Sequence, residues 1–264
     1  MKNNLFIIFI IIFTLIFSLN SKAADQFNFD VTEIEITENG NIFKGLKRGV
    51  ITTNDGIELK ADEFEYNKNR NILKANGNVE VKDFVNDYII TSENITYLRN
   101  ENIIISSGNV EARDLVNNYI IKSENVTYLK NKNLITTNGN SKAINPNSDI
   151  KILAEKFEYH KIPNKIIAEK NVIVEDNENK NKIFAEKITY FKNEEKFITH
   201  GKTKSLVNEN YEFNSENLVY FRNENQLSSN ENTTVLDSNS QFYELSNFIY
   251  LANEKVLKGE NILV

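Results

Sequence analysis

The side chains in this chain that could do chemistry are few, and their spacing argues against most of it. Serine recurs in the phrase Ser-Glu-Asn at Ser92 to Asn94, Ser123 to Asn125 and Ser215 to Asn217. A serine nucleophile needs one base and one oxyanion site, assembled once, whereas a structural corner recurs in every copy of a repeat. Repetition therefore assigns these serines to architecture. The two histidines, His160 and His200, lie in different parts of their surroundings, with no second histidine or carboxylate at metal-ligand spacing. They read as surface residues. There are no cysteines, which excludes a disulfide framework, a thiolate metal site and an acylated N-terminal cysteine. With no catalytic constellation, the expectation is that the protein is not an enzyme and needs no cofactor or metal.

The four letters RNEN occur at Arg99 to Asn102 and again at Arg222 to Asn225, each time two residues after a tyrosine. Tyr66, Tyr97, Tyr128, Tyr159, Tyr190, Tyr220 and Tyr250 follow one another at intervals of 30 or 31 residues, and Ile36 holds the equivalent place before Tyr66. That is an eight-copy repeat of about 31 residues, the signature of units that bury their apolar faces only against neighbours.

Within each copy the apolar residues alternate, as in a strand with one buried face. Ile57, Leu59 and Ala61 share a face, and the alternation then slips by one before Phe64 and Tyr66. Ile34 and Ile36 carry the same alternation in the first copy. The slip falls on a column of small residues, Ala61, Ser92, Ser123, Ala154, Ala185 and Ser215, which predicts a bulge where the strand bends. A short polar link leads to a second strand, bent at Gly77, Gly108, Gly139 or Gly201. Lys170 and Glu231 stand where other copies have glycine, and Gly259 comes nine rather than eleven residues after its tyrosine. Two strands per copy predict about sixteen antiparallel strands and no helix after residue 24. Hairpin-sized links favour a meander of bent strands, forming two facing sheets open along one side, over a parallel β-helix.

Composition agrees with a folded chain: of 264 residues, 40% are hydrophobic and 26% charged, too apolar for disorder. The net charge of −6, with no Lys/Arg cluster, argues against nucleic-acid binding. Residues 1–23 read as a signal peptide, with Lys2 ahead of an apolar stretch from Leu5 to Phe17 and Ser21 and Ala23 at the −3 and −1 positions of a cleavage site. An uncleaved anchor is disfavoured because the stretch is shorter than the roughly 20 residues that span a bilayer. Cleavage removes Lys2 and Lys22, lowering 31 basic residues to 29 against 37 acidic ones, a net charge of −8. Residues 24–264 form the expected repeat domain.

Three phrases, Ala185 to Thr203, Ser92 to Ala112 and Ala61 to Val81, carry a resemblance. Their pattern of small residue, acid, apolar residue and tyrosine, followed by a Gly-Asn-Val-like corner, resembles the OstA-like domain family of lipopolysaccharide transport, found in LptA and at the N-terminus of LptD. The resemblance runs over residues 27–264 and implies an antiparallel β-jellyroll, V-shaped in section, whose apolar groove takes the acyl chains of lipopolysaccharide in the periplasm. It implies groove-lining roles for Leu59, Phe64, Leu73 and Val79 and for their equivalents Ile90, Ile95, Ile104, Val110, Ile121, Val126, Ile152, Phe157, Ile183, Ile188, Phe213 and Leu218. The implied partners are lipopolysaccharide, related OstA-like domains paired edge to edge, and an outer-membrane barrel in cis or in trans. The location is the periplasm, free or attached to the outer membrane. A structural or adhesive rod with a packed core and no lipid is the alternative. The ending KGENILV stops mid-strand, which favours either edge pairing or continuation into a longer barrel protein.

Overall fold

The computed structural model describes residues 27–264; the expected signal peptide lies outside them. Strand segments succeed one another from Phe27–Asp30 to Val256–Leu263, every pairing between them is antiparallel, and no helix longer than a single 3₁₀ turn intervenes. The 23 segments are sixteen rungs. Nine run through uninterrupted, such as Ile72–Asp83, Tyr88–Leu98 and Ile103–Asp114, and seven are cut in two at the bend, such as Ile57–Ala61 with Glu63–Asn67. Each rung pairs with the next along both halves, so Ile57–Ala61 and Glu63–Asn67 both pair with Ile72–Asp83. The halves before and after the bend stack into two arms of a V. Arm A contains residues 57–61, 79–83 and 88–92; arm B contains 63–67, 72–76 and 94–98.

The bend lies where small residues break the alternation. Register shifts fall between Asn76 and Val79, Thr91 and Asn94, Ser123 and Asn125, and Ala185 and Lys187. At the corners of Gly77, Gly108, Gly139 and Lys170 two consecutive residues enter left-handed backbone space, as Gly108 (φ 80°) and Asn109 (φ 47°) do. A Cβ on Gly108 would come 2.5 Å from a carboxylate oxygen of Glu93, so glycine is needed for space as well as for φ. The acid of the Ser-Glu-Asn phrase explains itself here. Asn78, Asn109, Asn140 and Asn171 donate from Nδ2 to Asp62, Glu93, Glu124 and Glu155 at 2.7, 2.6, 2.8 and 2.9 Å, one clasp per corner. Lys170 adopts φ 67° without being glycine, so the bend survives that departure.

The post-tyrosine links are tighter than plain loops. Arg99–Glu101, Lys130–Lys132 and Lys192–Glu194 each make one 3₁₀ turn, a departure from the expected absence of helix. Asn102 and Asn225, the last letters of the two RNEN phrases, close their turns with φ of 57° and 47°; asparagine tolerates that conformation better than most residues.

One apolar cluster runs between the arms from Phe27 to Ala252. Its first copy is incomplete. Ile36 is in register with Phe43 and Tyr66 on the inner side, yet Ile34 and Ile36 are 41% and 55% exposed, because the outermost half-rung has a strand neighbour on one side only.

Candidate functional site

Alternation puts all sixteen expected groove residues on the inner faces of the two arms, and none is more than 3% exposed. Leu59, Val79, Ile90, Val110, Ile121, Ile152, Ile183 and Phe213 come from arm A. Phe64, Leu73, Ile95, Ile104, Val126, Phe157, Ile188 and Leu218 come from arm B. The interior is filled by the chain's own side chains. Aromatic rings meet across it: Tyr88 of arm A lies with its ring centroid 4.9 Å from Tyr128 of arm B, and Tyr119 lies 5.2 Å from Tyr159. The larger open hollows lie elsewhere, one of about 710 Å³ on the outer face, where Ile173, Phe184, Lys204 and Thr234 belong to neighbouring rungs of arm A.

Alternation does not disclose how the open side of the V is closed. The tips of arm A carry a column of buried polar residues, Asp83, Asp114, Asn145 and Asp176, 31 residues apart. The repeated tyrosines reach them from arm B. Tyr128, Tyr159 and Tyr220 donate to Asp83, Asp114 and Asp176 at 2.8, 2.6 and 2.7 Å, and Tyr97 donates to Asp55 at 3.0 Å. Where the column has Asn145, the corresponding Tyr190 donates instead to Glu195 of its own turn at 2.9 Å. Asp83, Asp114 and Asp176 are also held by their own turns: Asp114 accepts from the backbone N–H groups of Val116 and Asn117 at 2.8 and 3.0 Å. The column was legible as a 31-residue period of Asp or Asn at the ends of arm A strands. Its partners were not, because they lie 42 to 45 residues away and belong to the next copy but one.

Two residues beyond each of these tyrosines stands a cation: Arg99, Lys130, Lys161, Lys192 and Arg222. Lys130 Nζ donates to the Asp55 carbonyl and carboxylate at 2.7 and 2.9 Å, and Lys161 pairs with Asp114 at 3.1 Å while donating to the carbonyl of Asn86. Arg222 donates to Asp176 at 3.2 Å, to the Ser148 carbonyl at 2.7 Å and to Glu178. The mouth of the V is thus laced shut by hydrogen bonds and ion pairs.

The electrostatics follow from the lacing. Burial pushes the Tyr128 and Tyr159 hydroxyls well above the usual phenol range, and the carboxylates of Asp83 and Asp114 push them further. Burial would raise Asp114, but Tyr159, the turn N–H groups and Lys161 outweigh it and hold the carboxyl below its ordinary range. Asp55 behaves alike: burial is outweighed by Lys130, Thr53 and Tyr97. Among the described residues no group of three His, Asp or Glu side chains could hold a metal ion. His160 lies against Glu158 and His200 against Thr189, neither in the mouth.

The family description "LptA/(LptD N-terminal domain) LPS transport protein" matches residues 58–196, more than half of the chain. The chain belongs to that family. The LptA/LptD N-terminal match begins at the third rung and takes in the tyrosines from Tyr66 to Tyr190 and the cations from Arg99 to Lys192. Among solved structures, the crystal structure titled as LptH, the LptA-homologous periplasmic component of the lipopolysaccharide transport device from Pseudomonas aeruginosa, is 18% identical, covering 43% of this chain and 81% of its own, with a TM-score of 0.37. No curated protein sequence matches the chain.

Proposed function

We propose that this member of the family is a periplasmic carrier in which the acyl chains of lipopolysaccharide enter between the two arms after the laced mouth parts. The observation that carries the proposal is the position of an apolar interior beneath a seam of side-chain bonds, with no backbone ladder across it. Side-chain seams open without unpairing strands. Opening an empty repeat is unfavourable: exposing Ile90, Ile95, Ile104 and Val110 costs roughly 2 kcal/mol each, about 8 kcal/mol together. An acyl chain of about twelve carbons returns about 10 kcal/mol at ~0.8 kcal/mol per CH₂. The balance favours a groove closed when empty and open when filled.

The domain takes its place in transport either as a free bridge or as the front of a longer barrel protein. Pairing with a related domain would use the outermost rungs, where Ile34, Ile36, Ile262 and Leu263 are exposed. The filled interior also favours a second reading, a rod without lipid. Photo-crosslinking amino acids at Ile95, Val126 and Ile188 separate the two: lipopolysaccharide should be captured in cells from these inward positions. Capture only from outward positions such as Glu58 or Lys60 would exclude the groove.

A further inference from the structure

The five cations of the mouth form a column at intervals of 31, 31, 31 and 30 residues, on a chain whose net charge is −6. They are not required to satisfy the buried carboxylates of Asp83, Asp114 and Asp176, each of which has neutral donors from its own turn and a tyrosine. Asp83, 2% exposed, accepts from Val85 N at 2.9 Å, Asn86 N at 3.1 Å, Asn86 Nδ2 at 2.9 Å and Tyr128 at 2.8 Å, all neutral donors. Asp114 has the equivalent donors one copy on, Val116 N, Asn117 N and Nδ2 and the Tyr159 hydroxyl, and Lys161 is added to a set already complete. Three of the cations also bond main-chain carbonyls of the opposite arm, those of Asp55, Asn86 and Ser148, so they span the mouth as well as pairing with an acid there.

We propose that Arg99, Lys130, Lys161, Lys192 and Arg222 are a ladder of binding sites for the phosphate or carboxylate groups on the head of an acylated ligand. The inference rests on the groove reading above. An amphiphile with its chains between the arms has its head at the mouth, where these side chains end. As the arms part, Lys161 and Arg222 leave aspartates that keep their turn N–H donors, Arg99 and Lys130 leave the Asp55 carboxylate, which is 31% exposed to water, Lys192 leaves Glu195 of its own turn, and each takes an oxyanion of the ligand in place of its acid. Opening then strands no buried charge on either side. The ladder repeats once per two rungs, about 10 Å from strand spacing of ~4.8 Å, so a head released by one cation is within a short slide of the next. On an acidic molecule, the column also offsets the repulsion an anionic ligand would otherwise meet.

The test is a titration of the full mature protein with a phosphorylated acylated glucosamine disaccharide and with the same glycolipid after enzymatic removal of its phosphates. Wild type should bind the phosphorylated form about tenfold or more tighter, as charge-assisted bonds predict. K130Q combined with K161Q should bring that ratio close to one, and Lys161→Arg alone should keep it. Should the double variant fail to fold, Lys192→Gln serves, since Lys192 pairs with Glu195 of its own turn rather than across the mouth, and its ratio should fall too. An unchanged ratio in folded variants, with both lipids bound, overturns the ladder and leaves the groove standing. Binding of neither lipid by wild type overturns the groove itself. Binding of millimolar inorganic phosphate that is lost in the double variant, while the ratio between the two lipids stays unchanged, would assign the cations to free anions and overturn the lipid-head site.

Discussion

At the scale of single residues, the side of a strand that a side chain occupies decides whether it lies between the arms or in water. Ile95 is 2% exposed on the inner face of Tyr88–Leu98, whereas Thr96, the next residue, points outward. Ile95→Asp puts an unpaired charge between the arms and should destabilise the domain by roughly 3 kcal/mol or more, while Thr96→Asp should stay within about 0.5 kcal/mol; urea midpoints of the two variants measure both. The mouth residues give a pH signature at each end of the scale. Asp55 and Asp114 are held below the usual carboxylate range. Their contribution to stability is therefore complete above the ordinary carboxylate value of about 4 and fades as pH falls below it. Asp114→Asn should flatten that acid limb of the stability curve. Tyr250, raised by burial and by Tyr211 from 10.0 to about 12, contributes stability that is complete below pH 10 and fades as pH rises towards 12. Phenolate absorbance should then appear late, together with unfolding rather than before it. Ionisation of all the repeat tyrosines near pH 10 in the folded protein would contradict the laced interior.

At the scale of elements, the sequence alone disclosed the rungs and their bends, because both are written in short range. Alternation marks the inner face, the small column and the glycines mark the corner, and the asparagines after Gly77, Gly108 and Gly139 meet an acid sixteen residues earlier in the same copy. The lacing was hidden for a complementary reason. Tyr159 and Asp114 are 45 residues apart, so no single repeat contains both partners, and each looks like an ordinary core aromatic or turn acid on its own. Nor can alternation tell a filled interior from an open trough, since both put the same residues inward. One corner is imperfect and offers a test. Lys170 holds a left-handed backbone where its counterparts are glycine, and its ion pair with Glu155 is a half-exposed 3.8 Å contact worth little. Lys170→Gly should raise stability by about 1 kcal/mol, and Gly108→Val should lower it by more than that through the contact with Glu93. Equal stability of Lys170→Gly and wild type would mean the corner bears no strain.

At the scale of the molecule, sixteen rungs make a closed clamp: a hinge of bends along one side, an apolar filling, and a polar seam along the other. Family membership connects that clamp with lipopolysaccharide transport. In the proposed carrier the seam parts when acyl chains enter. Val116 and Ile162 are 59% and 78% exposed on opposite sides of the mouth, next to Asn117 and Lys161, which bridge it. The chain has no cysteine of its own, so spin labels on Val116→Cys and Ile162→Cys report that one distance. Measured by pulsed electron resonance with and without lipopolysaccharide, the distance should be short and narrowly distributed in the empty protein and should lengthen by about the width of an acyl chain when the ligand binds. An unchanged distribution at saturating bound lipopolysaccharide would contradict the account.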